Sequence, residues 1–177
     1  MSIVEMVQQA TLNVIAEEGV NAVTIRRVAA ELDRSTTVIT HYYDSREALL
    51  RESVSSVLGE RRMNAETVIA TSPAPLWDFL EWSIQDDHLT IWHALLKASY
   101  AGSEKEVTRL VEEFEEWWVL TLETLLVGKV KKGRSLAEAS DIIGVVVEGL
   151  LLMNGREMSS RLTQSQILRI AIQPILK

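Results

Sequence analysis

The sequence predicts an all-α protein of nine helices, and three observations carry that expectation. Gly and Pro are scarce, with 8 and 3 respectively in 177 residues. Apolar residues recur at helical spacing, and the β-branched alternation that marks strands is rare. Ser, Thr or Asp followed three residues later by Glu or Gln opens several of these runs, which is the pattern of a capping box.

The first helix is expected over roughly Ser2–Glu18, with Val4, Val7, Ala10, Leu12, Val14 and Ile15 apolar. Gly19 ends it where a left-handed residue is needed. Thr24 starts a second helix, and a third runs over roughly Ser35–Tyr43. Asp44 with Glu47 caps a long fourth helix that reaches Ala65 or beyond. The break Thr71–Pro75 separates it from two helices within Leu76–Tyr100, jointed near Asp86, Asp87 and His88. Gly102 ends the sixth helix, and Ser103 with Glu106 opens a seventh that runs to about Val130. Lys129, Lys131 and Lys132 suit its C-terminal dipole, and Gly133 stops it. Ser135 with Glu138 caps an eighth helix over Leu136–Met158. Thr163 with Gln166 caps a ninth that runs nearly to Lys177.

Residues 22–49 are the most informative stretch. Val28, Ala29 and Leu32 share a face of the second helix, and Val38, Ile39 and Tyr42 repeat that spacing ten residues on. Asp33, Arg34 and Ser35 form the turn between them. Two short helices packed by small apolar faces, the second rich in hydroxyls, make a helix-turn-helix. Ser35, Thr36, Thr37, Thr40 and His41 point away from that core. Side chains of these types reach base edges and phosphates in a major groove. A run of β-branched Thr is also a poor choice for a plain solvated helix. Thr24 and Arg46 stand at helix N-termini, where phosphates are favoured. Arg26 or Arg27 can reach a backbone or base, or be solvated; Tyr42 serves the core or a phosphate, and Tyr43 packs.

The net charge of −7 is awkward for a DNA binder. Its distribution helps: Arg26, Arg27, Arg34, Arg46, Arg51, Arg61 and Arg62 lie in the first part of the chain, and acid is heaviest in Glu104–Glu116. Cys is absent, which excludes disulfides and is compatible with the cytosol. Met1–Gln9 reads as amphipathic helix rather than leader, and the longest apolar run, Ile142–Met153, is shorter than the roughly 20 residues a bilayer span needs. A cytoplasmic protein without a membrane partner is expected.

All 5 Trp fall between residues 77 and 118. Core packing explains any one of them. Together, Trp77, Trp82, Trp92, Phe114, Trp117 and Trp118 suggest an aromatic-walled apolar cavity for a small molecule. Asp86, Asp87 and the acidic seventh helix would suit a cation through cation–π contact, whereas an uncharged apolar or aromatic ligand needs only the walls. His88 and His93 are five apart and do not share a helix face, so no metal site is expected. No nucleophile–base set, phosphate loop or dinucleotide fingerprint appears; neither catalysis nor a cofactor is expected. The eighth helix is apolar around most of its girth and needs a partner beyond one core, and Gly144 and Gly149 would allow close helix approach.

These residues resemble the DNA-binding domain of TetR-type transcriptional repressors. Thr24, Ile25, Arg26, Val28 and Ala29 match its pattern, as do Ser35, Ile39, Tyr42, Tyr43, Ser45, Glu47 and Leu49. The motif covers about a quarter of the chain, and the nine-helix layout extends the resemblance over the rest. The body is most similar to the betaine-type subgroup, through its Trp-containing fifth helix, acidic seventh helix and the run VVVEGLLL. Asp33 stands where the family has Gly, Arg34 where it has an apolar residue, Thr40 where it has a phosphate-binding Tyr, and Arg46 where it has Lys.

The resemblance implies a DNA-binding domain over residues 1–46 and a ligand-binding and dimerisation domain over 47–177. It implies a homodimer on a palindromic double-stranded operator, released by a small-molecule effector. The eighth and ninth helices would pair with their copies through Ile143, Val147, Leu150, Leu151, Ile167 and Ile170. Low basicity, Arg34 and Thr40 leave one alternative from another class, a helical protein-interaction module that keeps the head without binding DNA.

Overall fold

The computed structural model describes the chain except residues 86–88 and 154–161. Among the described residues there are nine α-helices and no strand. They are α1 (Ile3–Glu18), α2 (Ile25–Glu31), α3 (Thr36–Thr40), α4 (Arg46–Thr71), α5 (Pro75–Gln85), α6 (Leu89–Tyr100), α7 (Lys105–Leu126), α8 (Leu136–Met153) and α9 (Gln164–Ile172). A short 3-10 turn, Val20–Ala22, joins α1 to α2. The all-α expectation holds. The joint expected at 86–88 and the end of the eighth helix expected at Met158 lie outside the described residues.

Caps explain most boundaries. Ser2 and Glu5 form a reciprocal box at α1, and Thr163 and Gln166 form another at α9. At α8 the Ser135 hydroxyl accepts from the Glu138 N–H while the Glu138 carboxylate accepts from the Ser135 N–H. That bond holds the Glu138 carboxyl below its usual range. Two expected boxes take another form. Ser45, not Asp44, caps α4, because its hydroxyl accepts from the Ala48 N–H at 3.1 Å. Ser103 instead turns its hydroxyl to the Ala98 carbonyl, and Glu106 is drawn to the Arg109 guanidinium one turn on. The helix dipole and a nearby Arg outcompete a cap here. The ninth helix is shorter than expected. Pro174 lacks an N–H and restricts the residue before it, so α9 stops at Ile172. The tail beyond makes an antiparallel bridge, Val130 to Leu176, through Lys131 N–H to Ile175 O and Lys177 N–H to Lys129 O.

Packing divides the chain into two compact units. One is Met1–Arg62 with His88–Phe114; the other is Met63–Asp87 with Glu115–Lys177. In the first, α1 packs on α2, the 3-10 turn and α6, and α2 packs on α3. Val7, Val14, Ile15, Val28, Ile39, Tyr43 and Leu49 form its core. The helix-turn-helix is therefore built into one unit with α6 and the start of α7 rather than standing alone. In the second, α5, α8 and α9 pack on one another around Phe79, Leu80, Ile84, Ile143, Leu168 and Ile172.

The turn between α2 and α3 is a Schellman motif. Asp33 N–H donates to Ala30 O and Arg34 N–H to Ala29 O, at 3.2 and 3.0 Å. Asp33 sits at φ +52, the one non-glycine residue with positive φ among those described. Asp tolerates this region better than most residues but still pays a steric cost. Asp33→Gly should keep or raise the melting midpoint, and Asp33→Val should lower stability by about 1–2 kcal/mol in thermal unfolding.

Candidate nucleic-acid interface and ligand sites

α2 and α3 are held rigidly from below and left open above. Val28, Ala29 and Ile39 are buried on one side. Thr24, Arg26, Arg34, Ser35, Thr36, Thr37, Thr40, His41 and Tyr42 are all exposed. Thr24 caps α2 by accepting from the Arg27 N–H. Ser35 occupies the cap position of α3, yet its hydroxyl makes no cap bond and stays available. Thr40 leans its hydroxyl on Thr37 O, and the His41 and Tyr42 rings meet edge to face at 4.8 Å. The sequence left Tyr42 between core and surface; it is 44% exposed, while Tyr43 is 1% exposed and packs as expected. Burial pushes the Tyr43 hydroxyl above its ordinary range.

The arginines divide sharply. Arg26 and Arg34 make no ion pair with any described residue. Arg27 is bound to Glu18 and Glu31, at 2.7 and 2.9 Å, and these carboxylates raise its pKa. Arg46 was expected at a phosphate. Its Nε donates to Val23 O at 2.6 Å, and its Nη2 donates to Val20 O at 3.3 Å and to the Glu104 carboxylate at 2.7 Å. Those donors bind the protein itself, so Arg46 is a clamp between the 3-10 turn, the start of α4 and the start of α7. Its partners lie 23 to 58 residues away, and no local pattern signals them.

The expected aromatic set is divided between the two units. Trp92 and Phe114 meet in the first unit, ring centroids 5.1 Å apart and tilted by 57°. The Arg61 guanidinium lies 5.5 Å from the Trp92 centroid and 5.7 Å from that of Phe114. In the second unit Phe79 stacks on Trp82 and Trp118, at 5.8 and 5.7 Å, with Trp117 edge-on at 6.5 Å. Trp118 donates its indole N–H to Ser83, whose hydroxyl donates to Phe79 O. Trp77 lies under Arg169, whose guanidinium is 4.9 Å from its centroid, and Arg169 pairs with Glu81. Trp77 also lines an open cavity of about 340 Å³ with Pro73, Pro75, Lys129, Gln173 and Leu176. Asp86, Asp87 and His88 lie outside the described residues; among those described, no three potential metal ligands cluster.

The dimer face expected on α8 needs correction. Ile143, Val147, Leu150 and Leu151 are all buried in the protomer's own core, none more than 6% exposed. The apolar side chains that α8 leaves outside are Ile142, Val145, Leu152 and Met153, at 37, 71, 58 and 45% exposure. Gly149 lies exposed between them. Ile167 is half-buried, and Ile170 is 61% exposed. An all-round apolar helix does not reveal its phase in sequence; packing against α5 and α9 sets which stripe is buried.

Residues 8–53 match the family model of bacterial regulatory proteins, tetR family. The HTH-type transcriptional regulator BetI of Vibrio atlanticus is 26% identical over 98 residues, 55% of this chain and 44% of that protein. The chain thus spans less than half the length of this curated relative. A crystal structure of a protein described as a transcriptional regulator from Saccharomonospora viridis, in complex with choline, superposes with TM-score 0.83 at 17% identity, covering 98% of this chain and 97% of that one. Another from Pseudomonas aeruginosa PAO1 gives TM-score 0.76 at 23% identity, covering 95% and 86%. At these identities the structural likeness speaks for the fold. Among the described residues no helix is long and apolar enough to cross a membrane.

Arg46→Gln should lower stability by about 1.5–3 kcal/mol in denaturant unfolding, because charged hydrogen bonds to two carbonyls and a carboxylate are lost. Arg34→Ala, exposed and without an ion pair, should change it by less than about 0.5 kcal/mol.

Proposed function

Because the chain belongs to the tetR family of bacterial regulatory proteins, we propose that it is a cytoplasmic, homodimeric transcriptional repressor. A small apolar or aromatic effector would release it from a palindromic operator. One observation carries this reading. Arg26, Arg34, Ser35, Thr36, Thr37, Thr40, His41 and Tyr42 are presented together on a rigid two-helix platform, exposed and not consumed by internal caps or ion pairs. Hydroxyls, imidazole and guanidinium on α3 and its flanks supply the donors that base edges and phosphates accept. Thr24 adds a helix N-terminus beside a phosphate path. Arg46, held by its own clamp, is left out of the contact set.

Dimerisation would bring two copies of α3 to successive major grooves. The surface proposed for it is the exposed stripe Ile142, Val145, Gly149 and Leu152 of α8 with Ile170 of α9. Its apolar side chains are the kind a soluble protein covers, and Gly149 permits close approach of a second helix. Two candidate effector sites are proposed, one within each unit: Trp92 with Phe114 in the first, and the partly accessible Trp77, Trp82, Trp117 and Trp118 in the second. An effector changes DNA affinity only through different affinities for the two states of the protein. α4 is the continuous element that runs from the helix-turn-helix to Thr71.

Footprinting on the protein's own promoter tests the function, with affinity measured over a salt series. Specific binding should fall steeply as salt rises; salt-independent or absent protection would favour the protein-interaction module. The double variant Thr37→Ala, His41→Ala should weaken operator binding by about 10- to 100-fold while leaving thermal unfolding unchanged, each lost base contact being worth about 1–3 kcal/mol. Val145→Glu should yield a folded protomer by light scattering and circular dichroism. Val147→Glu should instead destabilise the fold by about 3–5 kcal/mol, because it places an unpaired charge in the core.

A further inference from the structure

Resting on the effector-bound reading above, we infer that Arg61 is the charge-selecting residue of the Trp92–Phe114 site: its guanidinium occupies the place between the two rings that a cationic ligand would take, so the effector received there is uncharged.

The geometry is that of a cation site already filled. Trp92 comes from α6, Phe114 from α7 and Arg61 from α4. The rings are 6 and 2% exposed and the arginine 3%, so the contact is dry. Its Cζ lies 5.5 and 5.7 Å from the two centroids, inside the roughly 6 Å range in which a ring face attracts a cation. The rings are tilted by 57°, which turns them into a wedge around one compact positive group. Arg62 follows in sequence and brings a second guanidinium to 6.0 Å from Phe114, while its Nη2 donates to Glu113 O.

A quaternary ammonium would have to displace a group tethered to the same chain, which competes at a high effective concentration. If it entered beside Arg61 instead, it would approach the Arg61 and Arg62 guanidinium groups, which lie 5.7 and 6.0 Å from the Phe114 centroid. An uncharged aromatic or aliphatic molecule meets neither obstacle. The same device recurs at Trp77, where Arg169 covers the ring at 4.9 Å with Glu81 as its counter-ion. Among the described residues, the chain supplies its own cation at Trp92 and at Trp77. Phe79 by contrast stacks on Trp82 and on Trp118, and the indole N–H of Trp118 is satisfied by Ser83.

Removing the guanidinium should therefore create a cation site that the natural chain lacks. Arg61→Leu keeps an apolar stem and deletes the head; Arg61→Ala deletes both. Tetramethylammonium chloride is titrated into each protein against a matched sodium chloride series, read by Trp fluorescence and calorimetry. The natural chain should give no saturable response, and the folded variants should bind at least tenfold more tightly. Trp92→Leu placed on Arg61→Leu should abolish the gain. A saturable response in the natural chain that Trp92→Leu removes overturns the inference, as does a folded Arg61→Leu or Arg61→Ala protein with no gain. If neither variant folds, the natural chain's titration decides alone. The readout involves no DNA, so failure to bind an operator and failure of the charge selection are separate results.

Discussion

The Arg46 guanidinium is the point on which the head's geometry depends. The 3-10 turn between α1 and α2 presents the carbonyls of Val20 and Val23; that of Val20 already accepts from the Val23 N–H at 3.2 Å, and that of Val23 accepts from Arg46 Nε at 2.6 Å. Arg46 donates to both and also reaches Glu104, where it and the carboxylate are only 24 and 22% exposed. A planar fork with several fixed donors can do this; a Lys, with one point charge, cannot. Three segments far apart in sequence are thus fixed to one another within a single unit, and α3 inherits its position from them. The departure from Lys at this position reads as a change of role, from phosphate ligand to internal clamp.

Local rules made much of the fold legible. The boxes at Ser135 and Thr163 form as expected, and Asp33 takes the left-handed turn that its short polar side chain allows. Val28, Ala29 and Ile39 are buried as the helix-turn-helix pattern requires. What escaped the sequence shares one cause, competition from partners that spacing does not reveal. Ser103 and Glu106 had the spacing of a cap, but a carbonyl at Ala98 and a guanidinium at Arg109 claimed them. On α8 the sequence could not choose between Ile143–Val147–Leu150 and Ile142–Val145–Leu152, because both stripes are apolar; contact with α5 and α9 made the choice.

The aromatic residues show the same limit at the candidate site. Closeness in sequence suggested one cavity, whereas the rings separate into sets with different chemistry. Phe79 with Trp82 and Trp118 is closed by stacking and one satisfied indole bond, which is how a core disposes of large polar-edged rings. Trp92 with Phe114 is arranged around a charge. Composition could count Trp residues but could not say that arginines would cover two of them.

Charge is then the variable that separates this chain's site from a generic aromatic pocket. A buried guanidinium between two rings gains from the ring quadrupoles and from its stem packing along apolar surface, yet it costs desolvation that an apolar residue would not. The residue therefore adds specificity more readily than stability. An aromatic pair left empty would attract any small cation, and α7 beside it is acidic, with Glu112, Glu113 and Glu116 exposed. Arg61 cancels that attraction from within. The net charge of −7 and the aromatic content, which together invite a cationic ligand on paper, are offset at Trp92 and Phe114 by a cation that cannot diffuse away.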